Sequence, residues 1–208
     1  MDELKRKKLL VGSGNVKKKR EVAALLEPLG WQLVSLGDLP PMEEPEESGS
    51  DFLENAKIKA TYYANASGLW TLGEDSGLCV AALGNAPGVF SARYSGPGAT
   101  DQRNNAKLIE QLSQVAEHAR AAFYVSTAAV AKPDGTIVAT SRGECHGRIT
   151  KEPRGEAGFG YDPYFELVEY HKTFAELGMM VKNCLSHRAR ALEKLVVQLD
   201  RMFDEQKK

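Results

Sequence analysis

The amino-acid sequence predicts an α/β fold, in which short apolar strands alternate with amphipathic helices. Three observations support this prediction. The apolar run Leu9–Val11 leads into a glycine-rich turn and then into a helical pattern, which is the order of a strand, a loop and a helix. Segments near residues 102–119 and 186–203 also place apolar residues at helical spacing. Strand-like runs flank a clear turn signal at residues 133–135.

Chain length and composition fit one globular domain. The chain has 208 residues, of which 42% are hydrophobic and 26% are charged, so it can bury a sizeable core. We predict a single domain over residues 1–208, with frayed termini at residues 1–7 and 205–208.

Charge and cysteine usage exclude several classes of protein. The net charge is −1, which gives no basic field for nucleic acid or an anionic membrane. No apolar run approaches the ~18 residues that a membrane span requires. The cysteines Cys79, Cys145 and Cys184 are odd in number and far apart, so they fit neither a disulfide framework nor a CxxC metal pair. We expect a cytoplasmic protein without nucleic-acid or membrane partners.

The first strand, Leu9–Val11, ends at the turn Gly12–Asn15, and a helix over residues 17–29 follows and stops at Gly30. Free backbone N–H groups at such a helix start can bind a phosphate. Lys17 and Lys18 oppose the helix dipole there, which is expected if they face an anionic ligand. The P-loop pattern is incomplete, so phosphate binding and an ordinary helix start remain equally open.

A second strand is predicted at Trp31–Leu36, followed by a loop rich in proline and glutamate over residues 43–49. Acidic loops are usually solvated surface, but Mg²⁺ takes one or two carboxylates together with substrate phosphate oxygens. The next helix is predicted from a cap at Asp51 to about Ala66, with Gly68 as its stop.

Two adjacent acids, Glu74 and Asp75, lie between apolar segments. A carboxylate near a core requires a cation, hydrogen-bond donors or a metal. Ser76 and Gly77 allow a turn, and we interpret the segment as a hairpin around Asp75. An ordinary acidic turn explains this segment equally well when it is taken alone.

The second half of the chain continues the alternation. A loop rich in glycine and proline (residues 84–98) precedes a helix from Gln102 to about Ala119, capped by Asp101. Strands are predicted at Ala121–Ala131 and from Thr136 to Ser141, with a continuation to Ile149.

A glycine loop over residues 155–165 then carries aromatic residues, which could stack on a nucleobase or fill the core. A short helix is predicted at Thr173–Leu177, and a last helix begins near the N-cap Ser186. His187 and Arg188 lie in its first turn. Either they are surface residues without a role there, or they bind an anionic or keto-bearing ligand.

Six blocks, spread over residues 9–199, resemble the inosine triphosphate pyrophosphatase family, the HAM1-like non-canonical purine nucleoside triphosphatases. The blocks are Ser13-Gly14-Asn15-Val16-Lys17-Lys18; Glu47-Ser48-Gly49 with Phe52-Leu53-Glu54-Asn55-Ala56; Glu74-Asp75-Ser76-Gly77-Leu78; Pro87-Gly88-Val89-Phe90-Ser91-Ala92-Arg93-Tyr94; Gly158-Phe159-Gly160-Tyr161-Asp162-Pro163; and Ser186-His187-Arg188. Two positions depart from the family pattern, since Ser13 replaces a usual threonine and Glu74 a usual aspartate.

The resemblance implies a long, twisted, mixed β-sheet flanked by helices in two lobes with a central cleft that holds the active site. It also implies a homodimer. The implied reaction converts a nucleoside triphosphate and water to the monophosphate and pyrophosphate. ITP, dITP and XTP are the implied substrates, which the enzyme would remove from the nucleotide pool.

The resemblance also implies roles for the residues of the first and third blocks. The triphosphate would be bound by Ser13, Gly14, Asn15, Val16, Lys17 and Lys18. Glu47 and Asp75 would hold Mg²⁺, which bridges phosphate oxygens. Asp75 would orient or deprotonate the attacking water, with Glu74 as the alternative and Lys18 completing the catalytic set.

Base recognition is implied for the last blocks. The wall around base and ribose would be formed by Phe159, Gly160, Tyr161 and Asp162, and Ser76 would touch the ligand. Lys182, His187 and Arg188 would donate to the 6-keto oxygen of hypoxanthine or xanthine. Adenine carries an amino group at this position, so donor would face donor and adenine would be rejected.

Three alternatives are disfavoured: the ordered blocks argue against the first, the intact Glu47 and Asp75 against the second, and the near-neutral net charge against the third. A pyrophosphatase of the Maf type would cleave the same bond with another base preference. A nucleotide sensor would bind without cleaving, and a nucleic-acid-binding protein would need a strong salt dependence of binding.

Overall fold

The computed structural model describes residues 8–205 and confirms a mixed α/β fold. Seven strands are present in this part of the chain: β1 (Lys8–Val11), β2 (Gln32–Ser35), β3 (Thr71–Val80), β4 (Ala121–Ala131), β5 (Ile137–Ile149), β6 (Phe165–Leu167) and β7 (Lys172–Thr173). The α-helices of the same part are α1 (Val16–Leu26), α2 (Phe52–Ser67), α3 (Asp101–Gln111), α4 (Phe174–Leu185) and α5 (His187–Glu205). Short 3₁₀ turns occupy several of the connections.

The strands form one mixed sheet in the order β2-β1-β3-β4-β5-β6-β7. Strand β1 pairs in parallel with both β2 and β3, whereas β6 pairs antiparallel with β5 and β7. Parallel neighbours at one end and antiparallel neighbours at the other are the mixed arrangement that the family resemblance implies.

The chain divides into two compact units. The first contains the chain up to Asp75, together with Ser126–Gly143 and the chain from Arg188 onward. The second contains Ser76–Val125 and Glu144–His187. Each unit is described below by itself.

The core of the first unit is formed by the apolar faces of α1 and α5 with strands β1, β3, β4 and β5. Its buried members include Leu9, Val11, Val22, Leu26, Trp31, Leu72, Val130, Leu192, Leu195 and Leu199. The stripes at helical spacing in both helices are therefore core, as their periodicity indicates.

Helix α2 lies very close to β3 because small residues line the contact. A Cβ atom on Gly73 would lie 2.2 Å from the carbonyl oxygen of Ala56 and 2.5 Å from the backbone nitrogen of Ala60. Only a glycine in the strand permits this approach of helix backbone to strand backbone. The contact fixes which α2 side chains reach the acidic part of β3.

The core of the second unit contains more aromatic rings. Buried residues of β3, α3, β4, β5, β6 and α4 contribute to it, among them Leu78, Val80, Leu108, Leu112, Tyr124, Ile149, Tyr161, Phe165 and Phe174. Phe165 and Phe174 stack with ring centroids 5.3 Å apart.

Several predicted elements are confirmed with small changes. The first predicted helix ends at Leu26, and a 3₁₀ turn continues to Leu29 before Gly30 adopts φ 84°. In α2 the Asp51 side chain accepts a hydrogen bond from the Glu54 N–H, and Gly68 ends the helix with φ 67°.

The predicted hairpin around Asp75 is wrong. Residues 71–80 form one continuous strand, and Ser76 and Gly77 continue it without a turn. The acids find cations and donors inside the fold, so the chain does not need to turn them toward water.

Two helices differ from their predicted bounds. Helix α3 ends at Gln111 and is capped by Thr100, while the Asp101 carboxylate accepts the N–H of Gly160 at 3.0 Å. The predicted short helix Thr173–Leu177 matches the first part of α4, where Thr173 and Glu176 form a capping box. Gly178 then has non-helical backbone angles (φ 77°, ψ 173°), and a second helical stretch after this kink reaches Leu185.

Strands β6 and β7 were not predicted, since two or three residues are too short to show an alternating pattern. Among the helices within residues 8–205, none combines the length and the apolar composition of a membrane span. Of the predicted frayed termini, residues 1–7 and 206–208 lie outside the described residues, and Glu205 ends α5.

Candidate active site

The turn before α1 is shaped by its own side chains. Asn15 is the N-cap of the helix, and its Oδ1 accepts from the N–H groups of Lys17 at 2.9 Å and Lys18 at 3.1 Å. Ser13 Oγ accepts from the Asn15 N–H at 3.2 Å, and a Cβ on Gly14 would lie 2.6 Å from Glu44 Oε1. Three of the amides predicted to face a phosphate therefore already have partners, and Val16 begins the helix.

Glu74 is buried in β3 and surrounded by donors. Its Oε1 accepts from Ser126 Oγ at 2.7 Å and from Arg188 Nη2 at 3.1 Å, and its Oε2 lies 3.0 Å from Lys18 Nζ. Burial alone would raise the pKa of Glu74, but the charge of Lys18 and the hydrogen bonds lower it. Glu74 is therefore a carboxylate fixed in its ionised form.

Arg188 is fully buried at the start of α5. Its guanidinium donates to Glu21 of α1 as well as to Glu74 of β3. Burial lowers the pKa of Arg188 to about 10, so it remains a cation at neutral pH. The predicted partner of Arg188 was a purine oxygen, but in this structure two carboxylates of the first unit hold it.

Asp75, the next residue of β3, contacts two side chains of α2. Lys59 Nζ lies 3.1 Å from its Oδ1, and Asn55 Nδ2 donates to its Oδ2 at 3.3 Å. Burial raises the pKa of Asp75 more than the charges of Lys59 and Lys18 lower it. Asp75 is thus a stronger base than an exposed aspartate.

Lys59 contacts both predicted metal ligands. Its Nζ also donates to Glu47 Oε1 at 2.8 Å, so two carboxylates converge on one cationic atom. Burial would lower the pKa of Lys59, but the negative charges of Asp75 and Glu47 raise it. Asn55 also connects the acidic loop to Asp75. Its Oδ1 accepts the N–H of Gly49, at the end of that loop, at 2.8 Å, and its Nδ2 donates to Asp75.

The two carboxylates next to Lys59 are suitable ligands for a hard divalent cation such as Mg²⁺. No group of three or more His, Cys, Asp or Glu side chains that could hold a metal ion occurs within residues 8–205. Mg²⁺ commonly uses only one or two protein carboxylates, with water and phosphate oxygens completing the shell. The pair Glu47 and Asp75, already arranged around the positive charge of Lys59, satisfies this requirement.

In the second unit, Asp162 organises the predicted base-binding residues. Its Oδ2 accepts from Lys182 Nζ at 2.6 Å and from the Phe159 N–H at 2.8 Å. The carboxylate packs on Gly158, where a Cβ would lie 2.2 Å from Oδ2. Burial raises the pKa of Asp162, against the lowering effect of Lys182. Lys182 Nζ also lies 4.1 Å from the centroid of the Phe159 ring.

His187 lies against an aromatic ring of β4. Its imidazole stacks on Tyr124 with centroids 4.7 Å apart and an interplanar angle of 10°. The Tyr124 hydroxyl donates to Asp162 Oδ1 at 3.3 Å. Tyr124 thereby contacts two of the residues predicted to surround the base.

The other predicted wall residues have core partners. The Tyr161 hydroxyl donates to the Ser91 carbonyl oxygen at 2.8 Å, and Asn105 Nδ2 donates to the Gly160 carbonyl oxygen at 2.9 Å. Tyr161 is buried, while Ser76 is half-buried in β3. Of the two roles considered for these aromatics, core filling describes Tyr161.

Sequence reasoning assigned no role to five residues that the structure places in these groups: Glu21, Asn55, Lys59, Tyr124 and Ser126. Asn55 lies in the second block and Lys59 one helical turn beyond it. Both carried a usable signal, since they are polar residues within a largely apolar helical face. Tyr124 and Ser126 are part of an apolar strand and gave none.

Comparison with known proteins gives consistent results. The family model described as "Ham1 family" matches residues 9–198. A dITP/XTP pyrophosphatase of Desulforamulus reducens is 46% identical over 196 residues, which cover 94% of this chain and 97% of that protein. A dITP/XTP pyrophosphatase of Geobacter sulfurreducens is 49% identical over 185 residues, covering 89% and 92%.

Solved structures agree with these relatives. A HAM1 protein from Coxiella burnetii superposes with a TM-score of 0.83 at 38% identity, covering 93% of this chain and 98% of that one. A nucleoside-triphosphatase, dITP/XTP pyrophosphatase, from Mycobacterium abscessus has a TM-score of 0.73 at 43% identity, covering 90% and 97%.

Proposed function

Because the chain belongs to the Ham1 family, we propose that it is a dITP/XTP pyrophosphatase. It hydrolyses ITP, dITP and XTP to the monophosphate and pyrophosphate, and so removes these non-standard purine nucleotides from the pool. The observation that carries the proposal is the arrangement of Glu47 and Asp75 around Lys59, within a chain nearly half identical to pyrophosphatases of this specificity.

Triphosphate binding is assigned to the first unit. Lys18 and Lys59 supply positive charge, and Asn15 with its neighbours Ser13, Gly14, Val16 and Lys17 shapes the turn. Glu47 and Asp75 would hold Mg²⁺, which when bound neutralises charge on the phosphate oxygens.

Asp75 is the proposed base that orients or deprotonates the attacking water. Burial raises the pKa of Asp75 whereas the pKa of Glu74 is lowered, and the Asp75 carboxylate accepts from Lys59 and Asn55. Glu74 has a lowered pKa, accepts from Ser126 and Arg188 and forms an ion pair with Lys18, so we assign it to positioning Lys18.

Base selection is assigned to the second unit. Lys182 and His187 donate to the 6-keto oxygen, and Phe159 offers an aromatic face to the ring. Lys182 has donors only, so the 6-amino group of adenine would find no acceptor on it. A buried polar group left unpaired in this way costs about 1–3 kcal/mol, which favours ITP over ATP.

The test is hydrolysis of ITP, XTP, GTP and ATP with Mg²⁺, with pyrophosphate and orthophosphate measured separately. We expect pyrophosphate from ITP and XTP, with GTP and ATP largely spared. Orthophosphate as the product, or equal rates on all four nucleotides, contradicts the proposal. The Asp75→Ala variant distinguishes an enzyme from a nucleotide sensor. An enzyme should lose nearly all nucleotide hydrolysis in this variant, whereas a sensor hydrolyses no nucleotide and would lose little of its binding.

We also propose a homodimer in the cytoplasm. Light scattering after gel filtration tests the first point, and a mass equal to one chain contradicts it. Cys79, Cys145 and Cys184 form no disulfide bond within residues 8–205, which suits a reducing compartment.

A further inference from the structure

Tyr124 is a buried residue of β4 that contacts two residues of the proposed base site at once. Its ring stacks on the His187 imidazole in nearly parallel planes, and its hydroxyl donates to Asp162 Oδ1. From this geometry we propose that Tyr124 is a positioning residue that determines base specificity. The inference rests on the proposed function, because it assigns Tyr124 to the residues that would read the purine.

The hydroxyl acts through Asp162 on Lys182. Asp162 Oδ2 accepts from Lys182 Nζ and from the Phe159 N–H, and Oδ1 accepts from Tyr124. With donors on both oxygens, the carboxylate cannot rotate without breaking a hydrogen bond. The position of the Lys182 ammonium, which is held between Asp162 and the Phe159 ring, therefore depends on the Tyr124 hydroxyl.

The ring acts on His187. Stacking at 4.7 Å and 10° confines the N–H and lone pair of the imidazole to one plane. A neutral imidazole offers both a donor and an acceptor, so a mobile ring could serve a 6-keto or a 6-amino group alike. A fixed ring and a fixed ammonium together discriminate between these groups.

Tyr124 is itself fixed by its surroundings. Its ring contacts Phe165 at 4.7 Å and Phe174 at 6.1 Å between centroids. Burial raises the pKa of the Tyr124 hydroxyl well above its ordinary value, so the group remains a neutral donor. Because these rings hold Tyr124 in place, Tyr124 in turn restricts the movement of His187 and Asp162.

The experiment compares kcat/KM for ITP and ATP in the intact protein and three variants. Tyr124→Leu removes the ring and the hydroxyl, and we expect the ITP-to-ATP ratio to fall roughly tenfold. Tyr124→Phe keeps the stacking ring and loses only the hydroxyl, so we expect a fall of about threefold. Leu112→Ala is the matched control, since it removes buried apolar volume from the same core at a residue that is not among the ring partners of Tyr124.

The control distinguishes positioning from simple destabilisation. Leu112→Ala should lower Tm as Tyr124→Leu does, yet keep the ITP-to-ATP ratio of the unmodified protein. Equal losses of ITP and ATP hydrolysis in Tyr124→Leu would overturn the inference. If that variant does not fold, an unchanged ratio in folded Tyr124→Phe overturns it. If the unmodified protein shows no preference for ITP, the proposed function itself fails.

Discussion

At the scale of single residues, the first unit buries several charges, and each has a counter-charge within reach. Arg188 lies between Glu21 and Glu74, Glu74 also contacts Lys18, and Lys59 lies between Asp75 and Glu47. Removing one partner of a buried ion pair leaves an uncompensated charge, which costs more than removing both. This asymmetry permits a direct test.

We expect Glu21→Ala to lower the free energy of unfolding by roughly 3–5 kcal/mol, the usual cost of breaking a buried pair. The measurement is urea denaturation at pH 7. The double variant Glu21→Leu with Arg188→Met should recover part of the loss, because Arg188 is then no longer buried without Glu21, while Glu74 keeps Lys18 and Ser126 as partners. A double variant less stable than Glu21→Ala would contradict this account.

A second residue-scale prediction concerns pH. Glu166 of β6 accepts from Arg148 Nε at 2.7 Å and lies 3.4 Å from Arg154 Nη2. The hydrogen bond from Arg148 lowers the pKa of Glu166 below its ordinary value. The stabilisation from this group is therefore complete above the ordinary pKa of ~4.3 and is lost as pH falls through the lower folded-state pKa.

Glu166→Gln should consequently destabilise the protein at pH 7 by about 1 kcal/mol, a value discounted because Arg148 is partly exposed. The difference from the unmodified protein should narrow toward pH 3. Thermal unfolding at a series of pH values measures it, with Glu169→Gln on the exposed neighbouring turn as control. A difference that grows on acidification is incompatible with the stated pKa shift.

At the scale of elements, the packing of α2 on β3 connects the fold to the candidate site. The contact at Gly73 sets the depth at which Asn55 and Lys59 project toward Asp75. Gly73→Ala would place a methyl group 2.2 Å from the Ala56 carbonyl oxygen, so the helix must move outward.

We expect Gly73→Ala to cost roughly 1–3 kcal/mol of stability through overpacking. It should also lower kcat/KM for ITP on the order of a hundredfold, since a shift of about 1 Å in a positioned group has that effect. Gly37→Ala is the matched control, because its Cβ would meet only Ser35 Oγ at 3.6 Å. Full activity in Gly73→Ala would show that α2 does not position the site.

Local signals explain which elements the sequence could predict. Helix α2 was predicted almost to its ends because a capping residue marks each end in the sequence. The Asp51 side chain accepts the Glu54 N–H at the start, and Gly68 adopts a positive φ at the end. Strand β3 was misinterpreted as a hairpin, since Ser76 and Gly77 favour turns locally and only contacts with distant residues keep them extended. The local turn propensity of Ser76 and Gly77 is outweighed by the burial of the strand residues on either side of them.

At the scale of the whole molecule, the sequence blocks predict candidate site residues but not the partners of those residues. Glu74, Asp75 and Asp162 are all candidates predicted from their blocks. Their partners come from distant segments: Arg188 meets Glu21 across 167 positions, and Ser126 meets Glu74 across 52. Such pairings depend on the order of strands in the sheet, which no local motif encodes.

The last prediction uses the stability of the whole protein to test the proposed metal site. In the structure, Lys59 supplies the positive charge between Glu47 and Asp75. Lys59→Met removes that charge and leaves two neighbouring carboxylates, so the variant should be less stable without metal and should bind Mg²⁺ more tightly than the unmodified protein. A ligand at 100 times its Kd stabilises the folded state by about 2.7 kcal/mol, which is readily seen as a rise in Tm.

Lys57→Met, at an exposed position of the same helix, should respond to Mg²⁺ as the unmodified protein does. If Mg²⁺ raises Tm no more in Lys59→Met than in Lys57→Met, then Glu47 and Asp75 are not the ligands, and the charge of Lys59 serves the fold alone.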